Sequence, residues 1–75
     1  MTSLQALSPG SLARLVQIGG ERSFRRRLME LGFLPGTAVR LVRRVDVGHL
    51  VELELRGCHV SLRRSEAELL FFEPT

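Results

Sequence analysis

The stretch LMELGFLPGTAVRLV, residues 28–42, contains an abrupt change of hydrophobic period. Before Gly32 the apolar residues recur at helical spacing, and after Pro35 they alternate as in a strand. Glycine is the usual residue just past a helix end, where the backbone turns left-handed, and Phe33 then follows at a position that packs back on Leu28. Pro35 prevents the helix from resuming. The stretch therefore predicts a helix that stops at Gly32 and a turn that leads into a strand.

A short amphipathic helix is predicted before Gly32. Ser23 is the expected N-cap, and Phe24, Leu28 and Leu31 fall at i, i+4 and i+7 on one apolar stripe. A helix of about two turns is not stable in isolation. We therefore expect it to lie across a sheet with this stripe buried.

Two segments of the chain share the pattern Pro-Gly-(Ser/Thr)-x-x-Arg-Leu-Val. They are PGSLARLV at residues 9–16 and PGTAVRLV at residues 35–42. Proline presets the first central position of a turn, and glycine accepts the positive φ that a type II turn requires at the next. Each segment therefore predicts a tight turn that leads into a strand, over residues 11–18 and 37–45. The alternation in the first strand is too irregular to show which of its faces points inward.

The second half of the chain alternates with a period of two, which is typical of strands. Residues 49–55 place alternate apolar side chains on one face, and after a turn at Arg56-Gly57 the next strand alternates Cys58, Val60 and Leu62 against His59, Ser61 and Arg63. Residues 46–48 predict the preceding turn. Residues 63–68 predict one helical turn, and residues 69–72 predict a last strand.

The predicted order is strand, short helix, strand, strand, strand, helical turn, strand. Five short strands within 75 residues cannot form two packed sheets, whereas one curled sheet removes most exposed edges. The pattern therefore predicts a mainly β fold: a small, partly open barrel of about five strands. One short α-helix lies between the first two strands, and a helical turn precedes the last. Residues 1–75 are expected to form a single domain.

The composition narrows the choice of compartment and partner. All eleven basic residues are arginine, and the net charge of +3 is too small to indicate nucleic-acid binding by itself. No apolar run reaches the roughly 18–20 residues of a transmembrane helix, and the first residues lack the features of a secretory signal. Cys58 has no second cysteine with which to form an internal disulfide. The chain is therefore expected to be cytoplasmic.

Two longer strings resemble a known family. Arg-Leu-x-x-Leu-Gly-x-x-Pro-Gly at residues 27–36 and Gly-x-x-(Val/Ile)-x-Leu-Arg-x-x-Glu-Ala at residues 57–67 are similar to the FeoA family, ferrous iron transport protein A. The resemblance runs from about Leu4 to Phe72 and implies an SH3-like barrel. It also implies a cytosolic partner of FeoB, the membrane ferrous-iron transporter that carries a GTPase domain. The chain departs from many relatives in having no proline in the loop at residues 45–49.

The sequence shows no arrangement of residues for catalysis. There is no Gly-rich phosphate loop or paired-carboxylate motif, and a nucleophile would need a base within reach and a group to orient that base. We therefore expect a protein that is not an enzyme and has no cofactor.

Three residues are weak candidates for metal binding: His49, Cys58 and His59. Neighbours on a strand project to opposite faces, so Cys58 is predicted to point into the core and His59 away from it. His49 could share a face with Cys58 across the hairpin, but no third ligand is evident, and stable sites usually need three or four. A surface histidine that binds metal between molecules is the more plausible case.

A cluster of arginines is the main candidate for partner binding. Arg25, Arg26 and Arg27 lie in the first turn of the predicted helix, where the helix dipole disfavours cations by about 0.3–1 kcal/mol each. Arg26 can pair with Glu30 at i+4. The cluster is either an ordinary solvated face or a docking surface for an acidic partner. The hypothesis is that these arginines, with exposed Met29 beside them, bind the cytosolic domain of the transporter.

The leading interpretation is thus a non-enzymatic accessory protein of bacterial ferrous iron uptake. In this interpretation the protein has no nucleic-acid partner and contacts the membrane only through the transporter. It can form a weak homo-oligomer. One rival is a direct cytosolic iron carrier. The other is a small basic barrel that binds RNA or DNA, although such barrels usually interleave aromatic residues with basic ones. A barrel that binds RNA or DNA would use Arg25, Arg26, Arg27, Arg43, Arg44, Arg63 and Arg64.

Overall fold

The computed structural model describes residues 1–74. These residues form six strands and two helices: β1 (Thr2–Ser3), β2 (Leu12–Ile18), α1 (Arg22–Glu30), β3 (Ala38–Val45), β4 (Leu50–Leu55), β5 (Cys58–Arg63), α2 (Arg64–Ala67) and β6 (Leu70–Pro74). A 3₁₀ turn, Leu4–Ala6, follows β1. All neighbouring strands pair antiparallel in one sheet with the order β1-β6-β2-β3-β4-β5. The five predicted strands and both helical segments are confirmed, and the two-residue β1 is an addition that the sequence pattern did not indicate.

The sheet surrounds one apolar core. No polar or charged side chain is buried among the described residues, so burial of apolar surface is the main stabilising contribution. The strands, α1, the 3₁₀ turn and α2 all contribute side chains to this core. The core consists of Leu4, Ala13, Leu15, Ile18, Leu28, Phe33, Val39, Leu41, Val51, Leu53, Leu55, Leu62, Ala67, Leu70 and Phe72.

The two Pro-Gly segments pair with each other reciprocally. The amide of Gly10 donates to the carbonyl oxygen of Leu41 at 2.6 Å, and the amide of Gly36 donates to that of Leu15 at 2.7 Å. Gly10 and Gly36 hold equivalent positions in the sequence repeat, as do Leu15 and Leu41. Both glycines have positive φ, +87° and +92°, as the predicted turns require. The sequence repeat is therefore also a structural repeat, related by a local two-fold arrangement.

Both strands of this repeat are irregular at the same point. The register shifts directly after Leu15 in β2 and directly after Leu41 in β3. A bulge adds one residue to a strand and so changes which side chains face inward. In β2 the inward residues are Ala13 and Leu15 before the bulge and Ile18 after it. The bulge explains why simple alternation could not assign the inner face of β2.

Helix α1 begins earlier than predicted. Glu21, with φ −74° and ψ 159°, is the N-cap, and the amide of Arg25 donates to its carbonyl oxygen at 3.0 Å. The prediction that Ser23 caps the helix is wrong, because the helical conformation already starts at Arg22. The side chain of Glu21 makes no capping hydrogen bond. The first turn of α1 therefore contains no acidic residue to balance its arginines.

The end of α1 has the predicted geometry. Gly32 has φ +108° and donates its amide to the Met29 carbonyl at 3.0 Å, and the Phe33 amide donates to the Leu28 carbonyl at 3.0 Å. These two bonds define a Schellman motif. Phe33 is fully buried, whereas Leu31, predicted to complete the buried stripe, is 48% exposed. That part of the prediction is wrong because the turn at Gly32 brings Phe33, and not Leu31, into the core.

Strands β4 and β5 form the predicted hairpin. Arg56 and Gly57 make its two-residue loop with φ values of +52° and +77°, as a type I′ turn requires. Cys58 pairs with Leu55 but is exposed. Its predicted burial is wrong, because Cys58 lies at the loop end of an edge strand, whereas Leu62 at the other end is covered.

Candidate partner-binding face on helix α1

One side of α1 concentrates positive charge. Helical periodicity brings Arg22, Arg25, Arg26 and Met29 together, because they are spaced by three, four and seven residues. With Glu30 they line a shallow groove of about 400 Å³. Met29 is the apolar member of this lining, and its side chain is 42% exposed. These five residues are called the α1 face below.

The arginines of the α1 face have no ion-pair partner within residues 1–74. The predicted pair between Arg26 and Glu30 does not form. The positive end of the helix dipole adds to the charge of these side chains and does not cancel it. The α1 face therefore presents net positive charge, with free guanidinium donors, to the solvent.

Arg27 lies outside this face. Its guanidinium forms an ion pair with Glu66 of α2, and its central carbon lies 5.5 Å from the centroid of the Phe24 ring. The predicted cluster of three consecutive arginines is therefore divided, and Arg22 takes the place of Arg27. The spacing by three and four residues was the signal that could have found Arg22, since adjacent helical residues point in different directions.

Glu66 links the end of β5 to both helices. Its carboxylate accepts a hydrogen bond from the Arg63 amide at 3.0 Å and pairs with Arg27. The Arg63 amide, with a smaller contribution from the Arg27 guanidinium, holds the pKa of Glu66 below its ordinary value of 4.5. About a quarter of the side chain is exposed, so solvent screens part of this stabilisation.

Glu66→Gln should reduce the sensitivity of the fold to acid. A carboxyl group whose pKa is lower in the folded state stabilises the fold above its unfolded pKa and loses that contribution as the pH falls through its folded pKa. Wild-type stability should therefore decline more steeply below about pH 4.5 than that of the variant. Thermal melts of both proteins from neutral to strongly acidic pH measure this. Equal pH slopes would show that Glu66 is not linked to folding.

Several other arginines contact groups of the same chain. Arg43 pairs with Glu52 at 2.9 Å, and Arg44 donates to the carbonyl oxygens of Leu4 and Leu7 at 3.0 and 2.9 Å. Some of the arginines proposed for RNA or DNA binding therefore already have partners within the chain.

The phenylalanines are poorly placed for base stacking. Phe33 and Phe72 are fully buried, and Phe24 and Phe71 are half-buried. Stacking of bases on exposed aromatic rings is the usual source of affinity in small nucleic-acid barrels. The absence of nucleic acid as a partner stays a prediction, but this arrangement favours it.

The three candidate metal ligands lie apart. His49 precedes β4, whereas Cys58 lies at the other end of the hairpin, about 20 Å away at the usual rise per strand residue. His49 and Cys58 are therefore too far apart to bind the same metal ion. His59 Nε2 lies 3.5 Å from Glu54 Oε2, but the other oxygen of Glu54 lies 3.4 Å from Arg40 Nε. In the described part of the chain, no group of three or more potential ligands converges.

The described residues form a small β-barrel that carries one positively charged helix face, and they bring no group of three or more potential metal ligands together. No helix in this part of the chain is long and apolar enough to span a bilayer. The FeoA domain family matches residues 2–74, and the chain belongs to this family. The family consists of small accessory domains involved in ferrous iron transport and is not a known enzyme family.

Relatives and solved structures agree with this assignment. The chain is 33% identical over 64 residues to an Fe(2+) transport protein A/Fe(2+) transporter FeoB fusion protein of Porphyromonas gingivalis. The matched region covers 85% of this chain and 8% of the fusion protein. The chain thus spans less than a tenth of that relative. The NMR structure of the FeoA protein from Chlorobium tepidum is 30% identical, with a TM-score of 0.88, over 97% of this chain and 70% of that one.

The same fold also occurs in a repressor. The manganese-activated repressor ScaR in its apo form is 20% identical, with a TM-score of 0.87, over 99% of this chain and 35% of that one. This likeness shows the fold alone. The SH3-like barrel implied by the family resemblance is confirmed, with six strands in place of about five.

Proposed function

We propose that this chain is a non-enzymatic, cytoplasmic accessory protein of bacterial ferrous iron uptake. It binds the cytosolic part of a FeoB-type iron transporter by protein–protein contacts. It carries out no reaction of its own, and its link to the membrane is the transporter.

The observation that carries this proposal is the fused relative. In the Porphyromonas gingivalis protein, a region similar to this chain and a FeoB transporter are parts of one polypeptide. Covalent linkage gives two modules a high effective concentration towards each other, which favours contact between them. A FeoA-family domain that contacts a FeoB-type transporter in this way needs a surface for the contact.

The α1 face is the surface that we assign to this contact. The unpaired guanidinium groups of Arg22, Arg25 and Arg26 can each bind a carboxylate through two parallel hydrogen bonds. Met29 offers an adaptable apolar contact beside them. The stability of α1 does not explain Arg22 and Arg25, because cations in the first turn of a helix are unfavourable. An acidic, partly apolar segment of the transporter's cytosolic part fits this surface.

Changing Arg22, Arg25 and Arg26 together to Gln should weaken binding at least about tenfold, the equivalent of about 1.4 kcal/mol. The variant should stay folded, since these side chains are exposed or half-buried and make no internal ion pair. Isothermal titration calorimetry against the purified cytosolic part of FeoB, with and without guanine nucleotide, measures the effect. Wild-type binding should also weaken as salt is added, because screening reduces the attraction between exposed charges.

A matched control removes the same charge elsewhere. Arg14, Arg56 and Arg63 are exposed, lie outside α1 and make no ion pair in the described residues. Their joint change to Gln should leave the affinity close to that of the wild type. Equal losses in both triple variants would mean that net charge alone governs binding. Undiminished affinity in the α1 variant would place the contact on another surface.

A further inference from the structure

The outer edge of β5 is open. β5 has β4 as its one neighbour in the sheet, and no other described strand pairs with it. The strand has six residues and contains no proline or bulge, and its one arginine, Arg63, lies at the end next to α2, so it has few of the devices that usually protect an edge from pairing. Cys58, His59 and Ser61 are exposed, and Val60 is half-buried. The open edge is therefore accessible to another strand.

The register of the hairpin shows which backbone groups face outward. Leu55 and Cys58 flank a two-residue loop, so they form a hydrogen-bonded pair. At the other end of the hairpin the Arg64 amide donates to the His49 carbonyl at 2.8 Å, which fits the same alternation. Alternate residues of an antiparallel strand bond to the same neighbour. The residues of β5 that direct their amides and carbonyls away from β4 are therefore His59, Ser61 and Arg63.

The end of β5 limits this edge to two free amides. The amide of Arg63 donates to the Glu66 carboxylate at 3.0 Å, and α2 begins at the next residue. Within residues 1–74 the amides of His59 and Ser61 have no acceptor. The available edge is thus short, and its hydrogen-bonding groups are fixed in position by the β4–β5 ladder.

We propose that β5 pairs antiparallel with β5 of a second copy of this chain, about a two-fold axis at Val60. In this register His59 of each copy lies opposite Ser61 of the other. Each such pair exchanges two hydrogen bonds, so all four free amides find acceptors. A two-fold axis at Ser61 would place His59 opposite Arg63, whose amide already donates to the Glu66 carboxylate. A two-fold axis at His59 would place Ser61 opposite Gly57, which belongs to the loop between β4 and β5.

The side chains also fit this two-fold arrangement. Val60 meets Val60 of the second copy in a non-hydrogen-bonded pair, where the Cα atoms are about 4.5 Å apart. On the same side Cys58 faces Leu62 of the second copy, and on the other side His59 faces Ser61. The pairing covers Cys58 and Val60, the apolar side chains that the monomer leaves exposed or half-exposed on this strand. The interface is isologous, as a two-fold dimer requires.

A second copy fits this edge better than an acidic partner does. The free groups of the edge are complementary to themselves, and its exposed side chains between Cys58 and Ser61 include no arginine or lysine. The α1 face is formed by different residues on a different element. The dimer therefore does not rest on the proposed function, and the two surfaces can be tested separately.

Sedimentation and hydrogen exchange test the dimer. The wild type should show a concentration-dependent dimer up to the millimolar range, and the His59 and Ser61 amides should exchange more slowly as concentration rises. Ser61→Pro removes an amide that the monomer does not use, and proline is tolerated where the amide faces outward from an edge. This variant should stay monomeric, whereas Ser61→Ala, which keeps the amide, should dimerise as the wild type does. A wild type that remains monomeric, or a folded S61P variant that still dimerises, would overturn the proposal.

A cross-linking experiment tests the register and does not depend on the proline variant. Val60→Cys in a Cys58→Ser background should form a disulfide-linked dimer under mild oxidation, because the paired Cα atoms lie near the range of about 4.4–6.8 Å that a disulfide spans. In the wild type the two Cys58 residues would be offset by four strand residues, about 13 Å, and should not cross-link. Cross-linking of V60C no faster than that of wild-type Cys58 would contradict the register.

Discussion

Leu28→Ala should lower the free energy of unfolding by about 2–5 kcal/mol. Leu28 is fully buried, and its carbonyl accepts the Phe33 amide that closes α1. Truncation of its side chain leaves a cavity between the helix and the sheet, which a small barrel cannot easily fill. Domains of this kind have a total stability of about 5–15 kcal/mol, so the loss is a large fraction of the whole. Urea unfolding followed by circular dichroism measures it.

Leu31→Ala is the matched control for this prediction. The same substitution three residues along, at a side chain that is 48% exposed, should change stability by only about 0.5 kcal/mol. The sequence pattern alone places both leucines in the buried stripe and so predicts two large effects. Equal losses at the two positions would show that α1 packs as the periodicity suggests, and not as the Schellman motif places it.

Arg44→Ala should destabilise the fold by about 2 kcal/mol. One terminal nitrogen of its guanidinium lies 3.0, 3.3 and 2.9 Å from the carbonyl oxygens of Leu4, Gln5 and Leu7. Two of these contacts are partly buried, and Leu4 is a core residue. Without the guanidinium the carbonyls of Gln5 and Leu7 lose this donor, the Leu4 carbonyl keeps only the Leu7 amide at 3.0 Å, and the 3₁₀ turn loses its attachment to β3. Unfolding curves give the magnitude, and faster hydrogen exchange at residues 4–7 should show where the loss occurs.

Arg43→Ala is the control for Arg44. Arg43 is the preceding residue, is exposed, and makes a surface ion pair with Glu52 at 2.9 Å. Such pairs contribute about 0–1 kcal/mol, so this variant should remain close to the wild type. A loss at Arg43 as large as that at Arg44 would mean that the contacts of Arg44 with the 3₁₀ turn do not stabilise the fold.

The features that sequence predicted correctly depend on local chemistry. Gly32 and Phe33 end a helix through backbone bonds between residues that are close in sequence. Arg56 and Gly57 make a two-residue turn for the same reason. Strand positions in the second half follow from strict alternation, which burial on one face imposes. These signals need no knowledge of the rest of the fold.

The features that sequence missed depend on what lies across the barrel. Burial of Cys58 followed from alternation, but an edge strand next to a loop has nothing to cover it. Arg27 was grouped with its neighbours because no local rule shows that Glu66 of α2 lies beside it. Arg44 was placed in a basic surface, although its partners are carbonyl oxygens about forty residues away. In each case a tertiary neighbour decided the role of the side chain.

The most direct test of the central claim is an NMR titration of the ¹⁵N-labelled chain with the cytosolic part of FeoB. We expect chemical-shift changes concentrated in residues 22–30, at the α1 face, and their loss when Arg22, Arg25 and Arg26 are changed to Gln. Small or absent changes in α1, with the largest shifts elsewhere on the barrel or none at all, would contradict it.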